Sequence, residues 1–308
     1  MTDNTANIEF EDKIKRILLL PSPLHKFENE VYAKLNLEVF IKRDDLIHKE
    51  ISGNKWRKLK YNLIEAKKNE INEIITFGGA YSNHIYATAA VGKYFGFETI
   101  AIIRGDELNE NSSETLKFAS KCGMKLKFIS RTEYRNIRID KTPIQTNLNS
   151  LVIPEGGTTV FSLEGVGEMV EEINGQLNQS PDYIICPVGT AGTIAGIIAN
   201  THSSTKVIGI CVLKKGQYLE TEIENLLNQS KKETNLNYEI FWDFHHGGYA
   251  KKSPELTTFV SNFNSNQEFE IEPIYSGKLF YAFEQLVNQN YFKPNTKIVL
   301  IHTGGLRY

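Results

Sequence analysis

The chain is poor in cysteine, methionine and tryptophan, with 3, 3 and 2 residues among 308. Cys122, Cys186 and Cys211 lie far apart, and no CxxC pair or Cys/His cluster accompanies them, so a zinc site is excluded. Cys186 in "YIICPV" and Cys211 in "VIGICVL" sit in apolar runs, where reduced, buried thiols are expected. No apolar run approaches the roughly 18 residues that a membrane helix needs. The N-terminal "MTDNTANIEFEDK" is polar and acidic, unlike a signal or transit peptide, so a soluble cytoplasmic protein is expected. Charge of one sign is not in excess either: 35 basic residues face 37 acidic ones, a net charge of -2. That balance excludes a global electrostatic footprint for nucleic acid. Internal repeats and low-complexity linkers are also missing.

What is present is an ordinary globular balance, 41% hydrophobic and 23% charged, arranged as short apolar runs alternating with helical patterns. "EIITFGG" reads as a buried strand, "SNHIYATAAVGKYFG" as a helix capped by Ser82 and stopped by Gly96, and "ETIAIIRG" as the next strand. "SSETLKFASKCG", with Ser112 or Ser113 as cap, and "KLKFIS" extend this to βαβαβ. After "VIPEGG" a second series begins with "VFSLEGVGEMVEEINGQL", a helical period weakened by Gly165 and Gly167. It continues through "YIICPVG", "TIAGIIANTH", "KVIGICVL", "YLETEIENLLNQ", "YEIFWDF", "SPELTTFVSNF", "KLFYAFEQLVNQ" and a last strand, "KIVLIHTGG". Two such series predict an α/β protein with two open, twisted, parallel-type sheets covered by helices on both faces. Ligands of such sheets bind beyond the carboxyl ends of the strands.

Three stretches carry candidate chemistry. "PVGTAGTIAG" places Gly189, Thr190, Ala191, Gly192 and Thr193 between a strand and a helix, where backbone N–H groups can close around an anion. It is neither a Walker loop nor a full GxGxxG, and a tight turn with close helix–strand packing accounts for it equally well. In "FGGAYSNH", Ser82 and Asn83 stand at a helix start that can hold a carboxylate, while simple N-capping by Ser82 is the plainer account. His84, taken singly, reads as a packed or surface helix residue. "SGNKWRKLK" spans Ser52 to Lys60, and a solvated basic face is the default for Lys58 and Lys60. A lysine becomes a nucleophilic amine near neutral pH only through burial or positive neighbours, and composition does not choose between Lys55 and Lys58.

"IKRDDLIHKEISGNKWRKLKYNL" resembles the segment around the cofactor lysine in the family of 1-aminocyclopropane-1-carboxylate deaminase and D-cysteine desulfhydrase. The similarity runs along nearly the whole chain through "PSPL", "FGGAYSNH", "PEGG", "PVGTAGT", "GGYA", "EPIYSGK" and "HTGG", in the family's order. It implies a tryptophan-synthase-β-like fold with pyridoxal phosphate at the interface of two domains. Residues 1–48 and 161–308 would form the large, cofactor-binding domain and residues 49–160 the small one. By the same resemblance Lys55 is the Schiff-base lysine, Gly189 to Thr193 hold the phosphate, and Asn83 bonds the ring's 3′ oxygen. Ser82, with the N–H groups of Asn83 and His84, takes the substrate carboxylate. Tyr249 and Tyr275 flank substrate and ring, and Ser276 faces the pyridine nitrogen. A homodimer acting on a small amino acid is expected, without metal, nucleic acid or membrane. The chain departs from the family at Tyr81, where Gln is common, at Tyr86, where Arg is common, and at Ala250 in "GGYAKKSP".

Position 276 bears on the reaction. The deaminase branch carries Glu there, which keeps the ring nitrogen protonated and strengthens the electron sink for ring opening. Ser276 has no charge, and a thiol leaving group at Cβ needs less help. β-Elimination from a D-amino acid such as D-cysteine, giving pyruvate, ammonia and sulfide, is therefore the favoured expectation. Deamination of 1-aminocyclopropane-1-carboxylate to 2-oxobutyrate is the alternative, and a non-catalytic binder of a phosphorylated ligand is a remote third.

Overall fold

The computed structural model describes residues 2–51, 53–140, 149–230, 232 and 235–306. In chain order the elements begin with α1 (Thr2–Ile17), β1 (Leu24–Lys26), α2 (Glu30–Lys34), β2 (Leu37–Lys42) and α3 (Asn54–Lys68). Then come β3 (Glu73–Gly78), α4 (Asn83–Phe95), β4 (Glu98–Arg104), α5 (Glu114–Lys121), β5 (Lys125–Ile129), α6 (Arg131–Asp140) and β6 (Ser150–Ile153). The chain goes on through α7 (Phe161–Leu177), β7 (Tyr183–Val188), α8 (Ala191–Asn200), β8 (Lys206–Cys211) and α9 (Tyr218–Ser230). It closes with β9 (Tyr238–Phe241), α10 (Pro254–Asn266), α11 (Ser276–Asn288) and β10 (Thr296–Ile301). These elements divide into two compact units. The first holds Met1–Leu19, His48–Ile51 and Lys55–Ser162; the second holds Leu20–Ile47, Ser52–Asn54 and Leu163–Tyr308.

The first unit is built on a parallel four-stranded sheet in the order β5-β4-β3-β6. Because side chains alternate along a strand, β4 feeds two cores. Ala101 and Ile103 pack with Ile85 and Ala89 of α4 and Leu116 and Ala119 of α5. Ile100 and Ile102 pack instead with Tyr134 of α6. Local chemistry sets the helix ends. Ser82 caps α4 by accepting the Ile85 N–H, and Gly96 ends it in the left-handed region at φ 74°. Ser113 caps α5. Ser112 does not, because its hydroxyl accepts the Asn109 N–H inside the preceding turn.

The second unit carries six strands in the order β1-β2-β10-β7-β8-β9. All pairings are parallel except β1 with β2, an antiparallel edge. Burial on both faces follows the same alternation. Ile184, Cys186 and Val188 of β7 pack with α7, α8 and α9, while Ile185 joins the core under α10 and α11. Helix α7 persists through Gly165 and Gly167. A Cβ on Gly167 would sit 2.7 Å from the Asn200 side chain, so the glycine is set by close helix packing. Cys122, Cys186 and Cys211 are free thiols, and burial pushes the Cys186 thiol up to about 12. Among the described residues no helix is long and apolar enough to cross a membrane.

Candidate active site

In the first unit the chemistry gathers where α3 begins. Residues Lys55 and Lys58, three apart, share one helix face. Asn62 continues that face, donating to the Lys58 carbonyl oxygen at 2.8 Å and accepting from the Thr159 hydroxyl at 3.1 Å. Lys58 is fully buried, and its Nζ donates to the Thr158 hydroxyl at 3.3 Å. The expectation of a solvated face for Lys58 is thus overturned, and Arg57 is buried as well. Only the three-dimensional wrapping of α3 decides this, since the sequence shows just a basic run. Burial lowers the Lys55 amine to about 8. Burial and, secondarily, Lys55 hold the Lys58 amine well below its ordinary value. Two adjacent, desolvated amines are costly to charge, so a neutral, nucleophilic form of Lys55 is accessible near neutral pH.

His84 belongs to the same cluster. It lies buried on the first turn of α4, and burial followed by Lys55 and Lys58 lowers its pKa well below the usual histidine value. Its ring state follows from the hydrogen bonds. The Thr76 hydroxyl donates to the Ile153 carbonyl at 2.8 Å, so its oxygen accepts from His84 Nε2, also at 2.8 Å. His84 is therefore the neutral Nε2–H tautomer, leaving a lone pair on Nδ1, which has no hydrogen-bond partner among the described residues. Gly157, with φ at 74°, approaches this ring: a Cβ there would lie 3.1 Å from His84 Cε1. The "PEGG" turn, α3 and α4 thus meet around Lys55, Lys58 and His84. Sequence reasoning left Lys58 open as an alternative to Lys55 and missed Thr76 and Thr158 as members of this cluster. Of the departures from the family pattern, Tyr86 stacks on Phe118 with centroids 3.8 Å apart, and Tyr81 is exposed.

In the second unit the centre is the turn from β7 into α8. Thr190 stands at the N-cap in extended conformation, and its hydroxyl makes no capping bond. The N–H groups of Ala191, Gly192 and Thr193, in the first helical turn, have no intrahelical acceptor and converge with the positive helix end. Gly189 is required by packing, because a Cβ there would stand 2.7 Å from Tyr275 Cε1. The Tyr275 ring in turn meets Tyr249 edge-on at 6.0 Å. Within the same unit, Asn54 donates its side-chain amide to the Thr193 hydroxyl at 2.9 Å. Gly53 lets the chain reach that point. Its φ is 68°, and any Cβ would fall 1.7 Å from the Thr303 carbonyl oxygen of "HTGG". Ser52 lies outside the described residues.

Ser276 is fully buried at the start of α11. Its hydroxyl accepts the Glu272 N–H at 2.9 Å. The Glu272 carboxylate accepts N–H groups from Ile274, Tyr275 and Ser276 at 2.6, 2.7 and 2.9 Å, so it is committed to holding this turn. Lys278, in the "EPIYSGK" motif but not singled out from it, is a second buried amine lowered to about 8, mainly by burial. Its Nζ donates to the Gly248 carbonyl at 2.8 Å and so anchors the turn that presents Tyr249. Ala250, two residues on, sits in the left-handed region at φ 55°. Among the described residues no group of three or more His, Cys, Asp or Glu side chains is placed to hold a metal ion.

The family of pyridoxal-phosphate dependent enzymes matches residues 17–304 of this chain. The chain belongs to that family. A putative 1-aminocyclopropane-1-carboxylate deaminase of Thermotoga maritima is 32% identical, over 94% of this chain and 95% of that protein. The bifunctional D-cysteine desulfhydrase/1-aminocyclopropane-1-carboxylate deaminase of Arabidopsis thaliana is 31% identical, over 93% of this chain and 77% of its own length. A crystal structure of a homologue of 1-aminocyclopropane-1-carboxylate deaminase superposes with a TM-score of 0.78 at 25% identity, covering 96% of this chain and 94% of that one. The residues present fit the cofactor. A pyridoxal-phosphate enzyme needs an amine that is neutral near physiological pH and a cradle of N–H groups for a phosphate. Lys55, lowered to about 8, offers a neutral fraction of its amine near neutral pH, and the turn after Gly189 offers the first N–H groups of α8.

Proposed function

We propose that this enzyme is a D-cysteine desulfhydrase-like lyase, which converts a D-amino acid with a thiol at Cβ to pyruvate, ammonia and sulfide. The observation that carries the choice is Ser276, buried and uncharged at the start of α11, with the nearby Glu272 carboxylate occupied by backbone N–H groups. When bound, pyridoxal phosphate supplies an electron sink for the pair left at Cα. Lys55 would hold its aldehyde, Gly189 to Thr193 its phosphate and Asn83 its 3′ oxygen. Ser276 would face the ring nitrogen without charging it.

The protein's part in the reaction is positioning and proton transfer. Ser82 and the N–H groups of Asn83 and His84, at the positive end of α4, hold the substrate carboxylate. Lys55, which would hold the cofactor's aldehyde, would also supply its Nζ as the general base that accepts the Cα proton of the substrate. Its lowered pKa supports that role, since an amine with the ordinary value of 10.5 would stay charged. Tyr275 and Tyr249 flank the substrate and limit its orientation. The C–S bond breaks, the thiolate leaves as sulfide, and one water completes the balance: cysteine and water give pyruvate, ammonia and hydrogen sulfide.

Ring opening of 1-aminocyclopropane-1-carboxylate is the second reading, favoured by the names of the relatives with which this chain aligns end to end. Incubation with each substrate separately distinguishes the two. Pyruvate from D-cysteine with little 2-oxobutyrate from the cyclopropane is expected, and the reverse ratio would overturn the choice. Ser276→Glu is expected to raise 2-oxobutyrate formation relative to pyruvate; an unchanged ratio and unchanged cofactor absorbance would remove Ser276 from the ring nitrogen.

A further inference from the structure

A cavity of about 410 Å³ in the first unit is lined by three arginines, Arg104, Arg131 and Arg135, together with Gly79, Tyr81 and Ser112 among others. It takes no part in the chemistry above. Its place in the sheet is informative. Strand β3 ends at Gly78, β4 at Arg104 and β5 at Ile129, so the lining residues Gly79, Arg104 and Arg131 stand at or just beyond three neighbouring carboxyl ends. Parallel α/β sheets bind ligands there. The charge of the lining is one-sided, because no acidic residue is among its members. In a chain of net charge -2 this local excess is not the overflow of a basic surface.

All three arginines are exposed, and two of them, Arg104 and Arg131, have neighbours that orient them. Arg104 lies beside Tyr134 and Gly79: its guanidinium carbon is 5.8 Å from the Tyr134 ring centroid, and its Nη2 3.5 Å from where a Gly79 Cβ would stand. Tyr134 itself is buried and packs edge-on against Phe77. Arg131 pairs through its Nη2 with one carboxylate oxygen of Glu107 at 2.5 Å, a residue outside the lining.

We propose that this cavity is an oxyanion site that takes a phosphate, sulfate or carboxylate group on Arg104 and Arg135, with Arg131 as a third contact in competition with Glu107. Planar guanidinium forks match such groups two bonds at a time. Two sources of the anion share this chemistry: a free small anion, or a second acidic group on the amino-acid substrate held by the adjoining Ser82 loop. Only the second source rests on the function proposed above, and only on its placing of the substrate carboxylate at Ser82, since D-cysteine itself has no second acidic group.

The test is titration of the cofactor-loaded protein with inorganic phosphate at low ionic strength, followed by calorimetry, where screening of exposed charges is least. One saturable site is expected. Arg104→Gln with Arg135→Gln is expected to weaken it by about tenfold or more, the loss of one to two charged hydrogen bonds. Glu107→Gln, which releases Arg131, is expected to tighten it, a gain that misfolding does not produce. Phosphate held at the Gly189 turn is indifferent to all three changes, so the variants keep the two sites apart even if the protein were to take up no cofactor. Displacement of phosphate by D-aspartate but not D-alanine identifies the acidic substrate as the source; displacement by neither identifies a free anion. Absence of a saturable site, or affinity unchanged in both the double variant and Glu107→Gln, overturns the proposal.

Discussion

Burial lowers the proton affinity of three basic side chains in the first unit, Lys55, Lys58 and His84, and their mutual repulsion adds to the effect on Lys58 and His84. In the second unit the turn at Gly189 offers backbone N–H groups and a helix end, and its buried Lys278 is tied to the Gly248 carbonyl at 2.8 Å. The first arrangement costs stability, since desolvating a cation costs several kcal/mol, on the order of a salt bridge lost. In return it yields a reactive amine and a neutral imidazole. The second arrangement costs little, because helix N–H groups lack intrahelical partners in any case. Covalent chemistry needs a group that is uncomfortable when charged, whereas gripping an anion needs only dipoles already aligned.

Lys55→Ala would break this comparison most severely. The variant is expected to fold, to lose the visible absorbance that the parent shows with pyridoxal phosphate, and to lose about 10²–10⁴-fold or more in kcat. Parent-like absorbance in the variant would remove Lys55 from the chemistry. Gly189→Ala probes the second unit. Its Cβ, 2.7 Å from Tyr275 Cε1, is expected to cost about 1–3 kcal/mol in urea unfolding and to weaken cofactor binding. Wild-type stability together with wild-type affinity would mean that the turn has room to spare.

The smallest expected effect is on the pH dependence of the cofactor-free protein. Lys55 has an ordinary pKa of 10.5 and a folded value of about 8, so above 8 the unfolded chain binds a proton that the folded one releases. Stability is therefore expected to rise with pH from about 8, most clearly below 9.0, where the Cys186 thiol begins to act in the opposite direction. Lys55→Met removes its share of that rise. Urea midpoints at pH 7 to 9 that are parallel in parent and variant would show that Lys55 is not desolvated.

Much of the fold was legible because the local signals agreed with the tertiary packing. Strand β7 and helix α8 were read from "YIICPVGTAGTIAG", where an apolar run stops at a glycine and small residues follow. Ser82 and Gly96 gave the ends of α4 by capping chemistry alone. Strand β1 escaped, since three residues on an antiparallel edge carry no periodicity to detect. In the site, Lys55 was singled out only through its resemblance to a family motif. Lys58 was misread because the same basic run describes an exposed helix face and a buried one. Lys278 lay inside a quoted motif, yet nothing local distinguishes it from a surface lysine.

Composition, alternation and turn residues by themselves determined two parallel α/β units and the order of the glycine-rich turns, because those depend on neighbours within a few positions. Only the tertiary structure decided that Lys58 is buried, that His84 carries its proton on Nε2, and that Arg104 of β4 and Arg131 and Arg135 of α6 line one cavity. Desolvation and charge repulsion act through space between segments far apart in the chain, and no local pattern records them.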